Sequence, residues 1–60
     1  MDKAKFLKVY ANLPINLRND IILALDKKGP ITWNVAYIEV NNNTKLGEEI
    51  FKKLEKLKII

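Results

Sequence analysis

Residues able to do covalent or acid–base chemistry are few in this 60-residue chain, and none is paired for it. There is no histidine, no cysteine and no serine, which removes the commonest general base, the thiolate metal ligands and the usual nucleophile-plus-base pairs. The seven carboxylates stand singly, except Glu48 and Glu49, which as neighbours on a helix point in different directions. Gly29 and Gly47 are also isolated, so no glycine-rich loop can cradle a phosphate. We therefore expect no catalytic residue, cofactor, metal or small-molecule substrate, and a non-enzymatic binding protein.

Surface charge and aromatic groups are what remain for recognition. Eleven Lys and Arg against seven Asp and Glu leave a net charge of +4, compatible with phosphate backbones but common among unrelated small proteins. Trp33, Tyr37 and Tyr10 could stack bases or anchor a protein interface. In a domain this small, large aromatics are more often the core itself.

Size constrains the rest. The chain makes one domain spanning 1–60, and such a chain buries only about 60% of the surface its unfolded form exposes. With no disulfide to help, a partner subunit is the readiest source of further buried area, and a homodimer or other protein partner is expected. The longest apolar run, Ile21 to Leu25, is far short of a membrane span. The charged start, Met1-Asp2-Lys3-Ala4-Lys5, leads into no signal-like apolar segment, so the expected location is cytoplasmic. Asn42-Asn43-Thr44 matches the glycosylation sequon, but there it reads as a helix-capping turn.

Periodicity places the elements. Phe6, Val9, Tyr10 and Leu13 make one apolar stripe and predict a helix over 2–12, ended by Leu13-Pro14. Leu17, Ile21 and Leu25 recur every fourth residue, with Asn16 as cap and Gly29-Pro30 as stop, so 16–28 reads as a second helix. The competing reading is a hairpin, with strands at 20–25 and 30–33 turning through Asp26 to Gly29; a short apolar run does not choose between the two. Thr32 caps a helix carrying Trp33, Ala36, Tyr37 and Val40, with a strand as the alternative because Val35, Tyr37 and Ile38 favour extended backbone, and Asn41, Asn42 and Asn43 break either. Thr44 caps the last helix, whose stripe is Leu46, Ile50, Leu54 and Leu57, joined by Phe51. Its acidic start and basic end suit the helix dipole, and Glu48 and Glu49 lie four residues ahead of Lys52 and Lys53. The expected fold is mainly α, a small three- to four-helix helix-turn-helix-like domain, with an α+β alternative in which a hairpin at 20–33 packs on helices.

Lys28-Gly29-Pro30-Ile31-Thr32, followed at the right distance by Lys52-Lys53-Leu54-Glu55-Lys56-Leu57-Lys58-Ile59-Ile60, resembles the trihelical helix-turn-helix core of winged-helix DNA-binding domains, without the wing. The likeness covers about three quarters of the chain and is a pattern of apolar positions and common charges. It departs from the pattern at Tyr37, where a small residue usually lies, and at Asn41, where the turn usually holds glycine. The resemblance implies duplex DNA as partner, with Asn42, Asn43, Thr44 and Lys45 facing base edges and Lys52, Lys53 and Lys56 near phosphates. Glu48 and Glu49 oppose this by bringing negative charge toward a polyanion. Each nominated residue also has a plainer account: the asparagines and Thr44 as turn and cap, the lysines as a solvated helix face. A protein-interaction module with no nucleic-acid role is the other function the residues allow. Membrane-surface binding by the last helix ranks behind both, because that helix carries as much acid as a soluble one.

Overall fold

The computed structural model describes residues 2–60. Helix α1 (Lys3–Ala11) is followed by a 3₁₀ turn (Ile15–Leu17), then strands β1 (Ile21–Leu25) and β2 (Gly29–Thr32), then α2 (Trp33–Asn41) and α3 (Lys45–Lys56). The strands form a two-stranded antiparallel sheet. Three of the expected helices are therefore present, and the one expected over 16–28 is not. Its place is taken by the hairpin that the same residues also allow.

The reasons lie in contacts distant in sequence. As strands, β1 and β2 set Leu23 directly across from Ile31, and both are buried. The spacing-by-four residues that a helix would have buried are elsewhere: Leu17 and Ile21 are exposed and Leu25 only half-buried. The backbone gains as well. Trp33 N–H donates to the Asp20 carbonyl at 3.1 Å and Asn34 N–H to the Arg18 carbonyl at 2.9 Å, while Thr32 Oγ1 accepts from Val35 N–H at 3.2 Å. Three of the four N–H groups that a helix start leaves unpaired are thus satisfied, two of them by carbonyls that a helix over 16–28 would have used itself. Within the hairpin, Lys28 N–H reaches the Leu25 carbonyl at 3.2 Å and Gly29 adopts φ +76°, a left-handed conformation that favours glycine. An irregular step between Ile21 and Leu23 shifts the register of β1.

The core is one cluster of Phe6, Leu23, Ile31, Ala36, Val40, Ile50, Phe51 and Leu54. Phe6 is the only fully buried residue of α1, and Trp33, Tyr10 and Tyr37 pack against the cluster's rim, so the aromatics do serve the core. Phe6 stacks on Tyr10 with ring centres 6.2 Å apart, and Tyr10 on Tyr37 at 4.5 Å.

Helices α2 and α3 meet closely because Gly47 is buried against the backbone of Glu39 and Val40. A Cβ there would fall within 2.6 Å of the Glu39 carbonyl carbon. Gly47 joins Ile50, Phe51 and Leu54 on the buried face of α3, whereas Leu57, expected on that stripe, sits past the helix end and is exposed. The link between the helices is a Schellman turn. Thr44 N–H donates to the Glu39 carbonyl and Asn43 N–H to the Val40 carbonyl, both at 3.2 Å, with Asn43 at φ 58°. Of the three asparagines expected to break the helix, Asn43 is the left-handed one, while Asn41 is still the last residue of α2.

Candidate functional site

The residues nominated for nucleic acid fall into two separate groups. Asn42 caps the C-terminus of α2, Asn43 occupies the left-handed turn, Thr44 caps α3 and Lys45 is its first residue. Thr44 is committed to structure: its hydroxyl donates to Glu39 Oε1 at 2.6 Å and accepts from Gly47 N–H at 2.9 Å. That leaves Asn42, Asn43 and Lys45, all exposed, with the Glu39 carboxylate beside the turn. Lys52, Lys53 and Lys56 are exposed on the later half of α3. At 1.5 Å per residue, Lys45 and Lys56 are about 16 Å apart along the helix axis.

The expected Glu48–Lys52 and Glu49–Lys53 pairs do not close. Among the described residues the ion pairs are Lys28–Glu49 at 3.1 Å and Lys5–Glu55 at 3.6 Å, both about half-exposed, each worth at most about 1 kcal/mol. Lys28–Glu49 ties the hairpin turn to α3 and forms one side of a surface groove of about 400 Å³, lined also by Leu25, Asp26, Lys27 and Lys53. A second groove of about 280 Å³ lies along α3 between Glu48, Phe51, Lys52 and Glu55. Both mix acid and base, so neither concentrates one sign of charge for an ionic ligand. Among the described residues no group of three metal-ligating side chains comes together. No helix among them is long and apolar enough to cross a membrane.

A different surface emerges at the start of α2. The stretch 18–20 is laced to the first turn of that helix through the Arg18 and Asp20 carbonyls, and its side chains extend the lacing. Asn34 Nδ2 donates to Asn19 Oδ1 at 2.6 Å, Tyr10 OH donates to Asn34 Oδ1 at 2.8 Å, and the Arg18 guanidinium lies 4.5 Å from the Tyr10 ring centre. Arg18 Nη2 also reaches the Tyr10 carbonyl at 3.4 Å, while its buried Nε has no partner. This clamp holds a segment whose aliphatic side chains stand in solvent: Ile15 is 79% exposed, Ile21 62%, and Leu17 is exposed too. Val35 and Ile38 on α2 are likewise exposed, Ile38 to 51%. Ile21 lies across from Thr32, whose hydroxyl caps Val35 N–H, and Ile38 is one helical turn beyond Val35. Ile21, Val35 and Ile38 are thus linked from β1 to α2, and Ile15 and Leu17 lie on the segment just before Arg18, whose carbonyl meets the first turn of α2.

Sequence reasoning passed over this surface, assigning Leu17 and Ile21 to a buried helical stripe. One signal was available: α2, Trp-Asn-Val-Ala-Tyr-Ile-Glu-Val-Asn, carries apolar residues on the side opposite its core stripe as well as on the stripe. Ala36 and Val40 face the core and Trp33 and Tyr37 its aromatic rim, which leaves Val35 and Ile38 with nothing to cover them.

No family model matches the chain, and no curated protein or solved structure does either. The resemblance to winged-helix cores requires residues 16–28 as the first of three helices. With that segment a hairpin, the likeness is left with the α2–turn–α3 pair alone.

Proposed function

We propose that this protein is a non-enzymatic binding module that docks another protein chain on the aliphatic surface of Ile15, Leu17, Ile21, Val35 and Ile38. The observation that carries this reading is α2, whose core side is apolar and whose opposite side still carries Val35 and Ile38 in water. Helices of that composition belong in the interior of an assembly. The clamp at Arg18 adds pre-organisation, because Ile15 and Leu17 sit on a segment tied to two helices rather than on a loose loop. Less ordering entropy is then lost on docking.

The test is a benzophenone side chain placed at position 38, or at position 52 as control, irradiated in cells that make the protein. Position 38 should yield a discrete protein adduct and position 52 none. Equal labelling from both would remove the reading.

Duplex DNA is the second reading, and one observation favours it: Lys45, Lys52, Lys53 and Lys56 are exposed and form no ion pair among the described residues. Titration of duplex DNA at several salt concentrations separates the two. We expect no appreciable binding at low salt. Affinity that falls log-linearly with salt, and is lost in the Lys52→Glu, Lys53→Glu double variant, would put the second reading in place of the first.

A further inference from the structure

We infer that the chain docked on this surface is a second copy of the protein, the two packing the same aliphatic face together as an isologous homodimer. This deepens the protein-docking reading and rests on it.

The distribution of charge carries the choice of partner. In sequence every lysine lies outside the two segments that build the face, 9–25 and 29–44, although Lys3 Nζ reaches the Asn41 carbonyl at the far end of α2 at 3.1 Å. Within them the only charged residues are Arg18, Asp20 and Glu39. Two of these are engaged internally, Arg18 on the Tyr10 ring and Glu39 by the Thr44 hydroxyl. The same segments carry the uncharged polar residues Asn12, Asn16, Asn19 and Asn34. A partner recognised by charge would find almost nothing to pair with here. An aliphatic, nearly uncharged face is complemented by a surface of the same kind, and its own copy supplies one. Interface centres are depleted of charge in just this way, most of all in homodimers.

The overall charge points in the same direction. Two molecules of charge +4 repel one another, and a contact whose own segments contribute no lysine adds little to that repulsion. At physiological salt, charges separated by more than about 8 Å are largely screened, so the remaining repulsion is weak. Size adds the motive. A standard interface takes about 800 Å² from each partner, roughly a fifth of the 4164 Å² this chain exposes. Covering Val35 and Ile38 would complete the burial of α2, which the single chain's eight-residue core leaves unfinished. In a two-fold arrangement each residue of the face meets its counterpart's surroundings, so one substitution alters the contact twice.

Sedimentation equilibrium of the purified protein, from micromolar concentrations up to about 1 mM, provides the test. A reversible rise from 7.0 kDa to twice that mass is expected, and added NaCl should not weaken it. Ile38→Lys and Ile15→Asn should each raise the dimer dissociation constant at least about tenfold, whereas Lys56→Ala should leave it unchanged. Ile38 and Ile15 are exposed, so neither change disturbs the core, and an unchanged circular dichroism spectrum checks this. A monomer at the highest concentration overturns the inference. So does a dimer that dissociates with salt, or one indifferent to both variants. The benzophenone adduct at position 38 keeps the two levels apart. An adduct of two identical chains supports the inference. An adduct with a different protein overturns it while the docking reading stands, and no adduct together with a monomer removes both.

Discussion

Gly47 shows how one residue sets the approach of two helices. Alanine is favoured over glycine in a helix interior by about 1 kcal/mol, so local propensity alone makes Gly47→Ala stabilising. Here the added methyl would meet the Glu39 carbonyl group and Val40 nitrogen, backbone atoms that cannot swing aside as a side chain would. The overpacking should win, with a net loss of about 1–3 kcal/mol in urea unfolding. A variant more stable than the parent would show that α2 and α3 can separate freely. Thr44 is the second such residue. Its hydroxyl serves Gly47 N–H and the Glu39 carboxylate together, which joins the end of α2 to the start of α3 and explains a residue otherwise nominated for base contact.

Between residues 16 and 32, helix and hairpin make opposite statements about which leucine matters. A helix stripe would bury Leu17 and leave Leu23 aside, whereas β1 buries Leu23 beside Ile31 and exposes Leu17. Leu23→Ala should therefore cost about 2–5 kcal/mol, and Leu17→Ala under about 0.5 kcal/mol, when unfolding is followed in dilute solution. The reverse order would return this segment to the helical form. The last helix, by contrast, obeys its local signals: Thr44 as cap, an acidic first turn, a basic last turn and a buried stripe through Ile50 and Leu54. Even so, Leu57 is its C-cap and exposed, and the helix closes just after it, with Lys58 left-handed at φ 59° and Ile59 N–H donating to the Leu54 carbonyl at 2.9 Å.

At the scale of the whole molecule, the chain joins a small finished core to an unfinished surface. Eight residues make the buried cluster, while Ile15, Leu17, Ile21, Val35 and Ile38 stand in solvent. If a second copy covers them, folding and association are linked, and the melting temperature must climb with protein concentration. Thermal unfolding across a hundredfold concentration range should show this for the parent chain and a flat response for Ile38→Lys. A parent melting temperature independent of concentration would contradict the linkage.

What the residues settled unaided is whatever neighbours along the chain can settle. The caps at Thr32 and Thr44, the helices α1 and α3 and the break at the asparagines all follow from spacing within a few residues, while a strand also suited the residues that became α2. The Ile21–Leu25 run is different, because its apolar pattern satisfies a helix and a strand equally. Distant groups decided it: Ile31 across the sheet, and the α2 N–H groups that take up the Arg18 and Asp20 carbonyls. That outcome also decided which surface of the protein is left uncovered. With a 3₁₀ turn and a hairpin in place of a helix over 16–28, Leu17 and Ile21 stand in solvent, as Val35 and Ile38 do, instead of inside the core.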